Sequence, residues 1–114
     1  MMRTLAVTGT LALLLGLTSP LQAADIEAGK AKAQPCQACH GKDGNTPLDA
    51  TYPRLAGQHA SYLEKALKDY RSGARANVIM AGFATPMTDE DIKNLSAYFA
   101  SLPGDLHDLS HHEK

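Results

Sequence analysis

Two thiols and an imidazole fall within five positions of this chain: Cys36, Cys39 and His40, in the stretch QPCQACHGKDGN from Gln34 to Asn45. Residues three and four apart share one face of a helix. A helical turn here would bring the three side chains together and turn Gln37 and Ala38 away. Two thiols so placed can add across the two vinyl groups of a haem as thioethers, with His40 beside the iron as a ligand; Cys-x-x-Cys-His is the attachment signature of a covalent haem c. Other uses of the trio fit less well. A zinc ion asks for four nitrogen or sulfur ligands and this segment offers three, while His59, His107, His111 and His112 stand at no partnered spacing to it. A disulfide across two residues closes almost no chain, so it stabilises little. A thioredoxin-type redox pair wants a βαβ setting, and the chain has no strand-like alternation.

An iron held by one histidine has a second axial side. A methionine thioether there raises the reduction potential and favours electron transfer over gas binding. The chain has four methionines, and Met1 and Met2 sit at the start of an apparent leader, which leaves Met80 and Met87. Met87 precedes Thr88, an apparent helix cap, and with Ile92 it matches the hydrophobic staple arrangement. Met80 has no such structural employment, so it is the favoured ligand. His59 opens a helix and reads as surface or pocket lining; the three tail histidines read as solvated.

The elements that must position these groups are helical. DIEAGKAKAQ reads as a short helix capped by Asp25, with Pro35 ending or kinking it. Gly29 inside it costs roughly 1 kcal/mol against Ala, which points to close approach of another helix. Residues 41–57 hold a run of Gly, Asp, Asn and Pro and read as one long loop; a loop that long is normally functional or wrapped around something. GQHASYLEKALKDYRSG carries Tyr62, Leu63, Ala66, Leu67 and Tyr70 at helical spacing, with Gly73 as its stop. An irregular stretch is expected over residues 74–87. The last helix starts at Thr88 with Asp89, Glu90 and Asp91 in its first turn, shows an apolar stripe of Ile92, Leu95, Tyr98, Phe99 and Leu102, and stops at Pro103-Gly104. The fold class is all-α, with three to five helices and long loops around one haem.

Residues 1–23 have the layout of a secretory signal peptide. Arg3 gives a positive start, an apolar run too short to span a bilayer follows, and Leu21-Gln22-Ala23 offers a small residue at a cleavage point. The mature domain is expected over residues 24–104, with a polar tail over 105–114. Without Arg3 there remain ten basic against twelve acidic side chains, a net charge near −2, which excludes a nucleic-acid binder built on charge. With no Trp, two Phe and four Tyr, so small a domain lacks core material, and a large apolar cofactor would supply it.

Taken together, CQACHGKDGN, YPRLAGQHASYL, YRSGARAN, IMAGFA and TDEDIKNLSAYFASL resemble a class I cytochrome c of the short bacterial periplasmic type, whose domain also occurs doubled in two-haem cytochromes c. The resemblance spans nearly the whole mature chain. Aligned on TDEDI, it places the family's ligand methionine at Met80. It implies that the first and last helices cross near their ends, Gly29 admitting Tyr98 or Phe99. It also implies that a proline carbonyl, from Pro47 or Pro53, orients His40, and it makes Arg54, Gln58 and Tyr62 possible propionate or pocket contacts. The function it implies is that of an electron carrier rather than an enzyme: periplasmic, monomeric, with no stable membrane insertion after signal cleavage. Its partners would be a cytochrome reductase, a terminal oxidase or a periplasmic redox enzyme. Two alternatives stand beside it, a cytochrome subunit of a larger oxidoreductase and a haem-based gas sensor.

Overall fold

The computed structural model describes residues 21–106. The leader expected over 1–23 and the tail expected over 105–114, with His107, His111 and His112, lie outside the described residues save for the few nearest the domain. Five α-helices follow one another: α1 (Ile26–Lys32), α2 (Gln37–His40), α3 (Ala60–Ser72), α4 (Val78–Ala84) and α5 (Asp89–Ser101), with a short 3-10 turn at Gln34–Cys36 leading into α2. Among the described residues there is no strand, and no helix is long and apolar enough to cross a membrane.

Three of the five helices, α1, α4 and α5, begin where the sequence supplies a side-chain cap. Asp25 accepts a hydrogen bond from the Ala28 N–H at 2.9 Å and opens α1. The Thr88 hydroxyl accepts from the Asp91 N–H, and the Asp91 carboxylate accepts from the Thr88 N–H, each at 3.0 Å, a reciprocal capping box that opens α5. Gly73 closes α3 in the left-handed conformation at φ 82°. The stretch expected to be irregular over 74–87 instead contains α4. Asn77 Oδ1 accepts from the N–H groups of Ile79 and Met80 at 3.1 and 3.0 Å and starts it. The helix is only seven residues long, and its apolar residues do not form a buried stripe: Val78 is 90 % exposed while Ala84 is fully buried. That is why no helical period marked it.

The core is small. Ala33, Leu63, Leu95, Tyr98 and Phe99 form its buried cluster, with Leu55, Leu67, Met87 and Leu102 packed against it. α1 crosses α5 at Gly29, where a β-carbon would lie 2.1 Å from the Asn94 carbonyl oxygen and 2.9 Å from Tyr98 Cβ. The Asp25 N–H donates to Asn94 Oδ1 at 2.8 Å beside the crossing, and Lys32 pairs with Asp91 at 3.0 Å beyond it. Tyr98 and Phe99 both line this region, their rings 5.3 Å apart. Gly29 admits Tyr98, while Phe99 packs against Gly44 in the loop, 3.0 Å from where its β-carbon would be.

Candidate haem site

α2 is a single turn, and its brevity is what aims it. Gly41, at φ 89°, ends the helix directly after His40; a β-carbon there would strike the Thr46 carbonyl oxygen at 2.2 Å. The chain then doubles back, and the Leu48 N–H donates to the Cys39 carbonyl at 2.9 Å. The loop that follows is strapped at three points: the Leu55 and Ala56 N–H groups donate to the Gly44 carbonyl at 2.8 and 3.0 Å, and the Gly57 N–H to the Phe99 carbonyl at 3.0 Å. This course carries Thr51, Tyr52 and Pro53 across the front of α2.

His40 is buried at 7 % exposure, and its Nδ1 lies 2.8 Å from the Pro53 carbonyl oxygen. A carbonyl only accepts, so Nδ1 carries the proton and donates it, which leaves the Nε2 lone pair for a metal. Of the two prolines the sequence offered, Pro53 is thus the one that meets the ring; Pro47 is not among its partners. Tyr52 packs edge-on to the imidazole, with centroids 6.3 Å apart at 73°.

Cys36, Cys39, His40, Met80 and Met87 all line one cavity of about 480 Å³, within the range of small-molecule and cofactor sites. Its walls are largely apolar: Pro35, Leu55, Leu63, Leu67, Ile79, Phe83, Leu95 and Phe99 contribute, with Tyr62 at half exposure. Burial pushes the Cys36 thiol up, and the charge of Cys39 adds to the effect. The Tyr52 hydroxyl is pushed up by Cys39 first, then by Asp49 and by a hydrogen bond with Cys39. The effects of each thiol end once both sulfurs are alkylated, whereas the push of Asp49 on Tyr52 remains. The two cysteines are unbridged.

The cavity fits a haem. It offers two thiols and a histidine from one turn, apolar walls, and methionines from the opposite stretch of chain. One further feature points to an occupant: Ser96 Oγ is buried, lines the cavity, and has no hydrogen-bond partner among the described residues. Sequence reading passed over Ser96 because the stripe taken for α5 ran through Ile92, Leu95 and Tyr98–Phe99. A buried helix face is often wider than such a stripe, and here it extends to Asn94 and Ser96.

Other expected contacts lie elsewhere. Arg54 donates from Nε to the Asn45 carbonyl at 2.9 Å and faces Asp105 at 3.7 Å. Gln58 accepts from the His59 N–H at 2.9 Å, and His59 is the exposed residue preceding α3. None of the three lines the cavity.

A family model for cytochrome c matches residues 26–103, which spans every helix described above. The chain belongs to the cytochrome c family, and the spacing of Cys36, Cys39 and His40 within it is that of a covalently attached haem c. Within the family it is similar to cytochrome c4 of Pseudomonas aeruginosa, 47 % identical over 93 residues that cover 81 % of this chain and 46 % of that protein. The crystal structure of reduced cytochrome c4 from Pseudomonas stutzeri superposes with a TM-score of 0.68 at 39 % identity, covering 74 % of this chain and 48 % of that one. A relative from Stutzerimonas stutzeri, 38 % identical over 103 residues and covering 85 % of this chain and 47 % of its own length, is a thiosulfate dehydrogenase electron acceptor. The chain spans about half the length of these relatives.

Proposed function

We propose that this chain is an exported single-haem electron carrier, its iron held between His40 and Met80 and its ring tethered through Cys36 and Cys39. On this reading residues 1–23 are a leader, residues 24–104 the working domain, and the compartment is the periplasm. The observation that carries the proposal is the convergence of Cys36, Cys39, His40 and Met80 on one cavity. Bound there, the haem supplies reversible one-electron exchange at iron.

The side chains have distinct tasks. His40 is held in one tautomer by Pro53, which fixes the direction of the nitrogen it offers. Met80 rides on α4, and the Asn77 cap fixes the first turn of that helix and hence the approach of the sulfur. Met87 borders the same cavity but has other attachments: it packs on the Leu63–Leu95–Phe99 core, and its carbonyl accepts from Arg71 Nη1 at 2.9 Å. A side chain packed on the core, with its backbone tied to Arg71, is less free to serve the iron, which supports Met80. The apolar walls exclude water and disfavour the extra charge of the ferric state, raising the potential.

Two variants test the ligation. Met80→Ala should abolish the far-red sulfur-to-iron charge-transfer band of the oxidised protein, and Met87→Ala should keep it. The reverse pattern would exchange their roles. Carbon monoxide binding to the reduced wild-type protein at neutral pH would instead favour a gas-binding site. The partner is proposed to be a cytochrome reductase, an oxidase or a periplasmic redox enzyme, in keeping with the relative that serves thiosulfate dehydrogenase. A second reading, a cytochrome subunit of a larger oxidoreductase, draws on a relative from Chlorobaculum tepidum, the cytochrome subunit of sulfide dehydrogenase, 36 % identical over 67 residues. Sedimentation of the purified holoprotein separates the two: a carrier runs as a monomer of one domain.

A further inference from the structure

Among the residues that line the cavity one side chain is permanently charged, that of Arg75, an exposed residue at its edge. Arg75 lines the cavity alongside Tyr70, Asn77 and Ile79. Its guanidinium stacks over the Tyr70 ring, with Cζ 4.8 Å from the centroid. The Arg75 N–H donates to the Asp69 carbonyl at 3.1 Å just past the end of α3, which sets where the side chain leaves the backbone. The Asp69 carboxylate itself is engaged by Lys65. Among the described residues, Arg75 makes no ion pair with any carboxylate, whereas Arg54 faces Asp105 and Arg71 is bonded to Asp89. The remaining titratable side chains on the cavity wall are Cys36, Cys39, His40, Tyr52, Tyr62 and Tyr70.

A haem carries two propionates, and its carboxylates need a cationic or hydrogen-bonding partner where they meet the protein. Guanidinium suits a carboxylate better than ammonium does, since its planar fork can bond both oxygens. The Tyr70 face presents that fork ready-set, so little side-chain freedom is lost on pairing. We propose that Arg75 is the cationic contact of the haem propionates, in place of Arg54, which the family resemblance offers with Gln58 and Tyr62 as a propionate or pocket contact. This rests on the haem reading of the cavity. As a positioning residue it also tunes the iron: a positive charge near the ring favours the ferrous state.

The test is redox potentiometry on the purified holoprotein, comparing wild type with Arg75→Gln and Arg75→Lys. Removing the charge should lower the potential, seen as a rise in the ferric-to-ferrous ratio of about three- to tenfold at fixed solution potential; tenfold corresponds to about 59 mV for a one-electron couple. The Lys variant should recover most of the shift, which a merely structural role would not do. The His40 and Met80 absorption signatures should be unchanged in all three. A Gln variant whose ratio stays within 1.5-fold of wild type would overturn the proposal, as would a Lys variant no better than Gln. An arginine reserved for docking an acidic partner would give that null result. Should the Gln variant fail to load haem, a dicarbonyl reagent can remove the same charge from folded holoprotein in an Arg54→Lys, Arg71→Lys background; the same fall is expected, and its absence overturns the proposal. The haem reading fails separately, through wild-type protein that is colourless when made in a host able to attach haem.

Discussion

Gly29→Ala puts the crossing of α1 and α5 to a quantitative test. In an exposed helix this change is favourable by about 1 kcal/mol, because glycine costs more backbone entropy. Here the added methyl would lie 2.1 Å from the Asn94 carbonyl oxygen, 2.6 Å from its carbon and 2.9 Å from Tyr98 Cβ. Two of these three atoms are backbone of the facing helix, so no side chain can rotate away. The helices must separate by more than an ångström. Separation breaks the bond from the Asp25 N–H to Asn94 Oδ1, worth about 1 kcal/mol net, and opens the contact around buried Ala33, Tyr98 and Phe99. Overpacking of this sort costs about 1–3 kcal/mol and at times more. With the lost hydrogen bond and the helix-propensity gain about cancelling, the net loss should be about 1–3 kcal/mol. For a domain of this size that is a fall in Tm of roughly 5–25 °C. The assay is thermal and denaturant unfolding of the haem-loaded protein followed by far-ultraviolet circular dichroism. Gly82→Ala is the control, because nothing lies within 4 Å of a β-carbon there; it should raise stability by about 0.5–1 kcal/mol. A Gly29→Ala protein as stable as wild type would refute the reasoning about the crossing.

Asn77→Ala removes both cap bonds of α4 and should cost about 1 kcal/mol locally. On the proposed Met80 ligation, exogenous imidazole should then displace the sulfur about fivefold more readily, read from loss of the far-red band during titration. Arg71→Ala should destabilise the protein by about 1–2 kcal/mol in urea unfolding, since the Met87 carbonyl and Asp89 both lose their partner. The Asp91 carboxyl is held below the usual range, chiefly by the Thr88 N–H and then by Lys32. A folded pKa below the unfolded one gives stability that is present in full above the unfolded value and is lost as pH falls through the folded one. Asp91→Asn should therefore flatten the acid limb of stability below about pH 4, and an unchanged slope would count against this role.

How much of the site could be read from sequence depended on how local each feature is. The convergence of Cys36, Cys39 and His40 follows from spacing within one helical turn, and all three line the cavity as expected. The caps at Asp25 and Thr88 were legible for the same reason. Choosing between Pro47 and Pro53 was not local. It depends on the Gly41 reversal and on the bonds from Leu48 to Cys39 and from Leu55 to Gly44, which set the course of the loop. α4 was missed because a seven-residue helix with an exposed Val78 shows no buried stripe. Arg54 and Arg75 look alike in sequence; only the fold turns one toward Asp105 and the other toward the cavity.

The architecture divides the labour between rigid and adjustable parts. The crossing of α1 and α5 leaves no room at Gly29, and it sets the wall formed by Leu95, Ser96 and Phe99. The histidine side is anchored to this wall through the long loop between α2 and α3, with His40 pinned by Pro53 and the Gly57 N–H tied to Phe99. The methionine side is held differently. α4 is short, meets the rest mainly through α3, and is fastened at its ends by the Asn77 cap and by the Arg71 link to Met87 and Asp89. On the proposed Met80 ligation, losing one fastening should therefore change how firmly the sulfur binds without moving His40. It follows that variants of Asn77 and Arg71 should alter ligand exchange on the methionine side, whereas variants at Gly29 should lower the stability of the whole domain. A domain built as one uniformly rigid unit would show the two effects in constant proportion, and that proportionality is the result that would exclude this division.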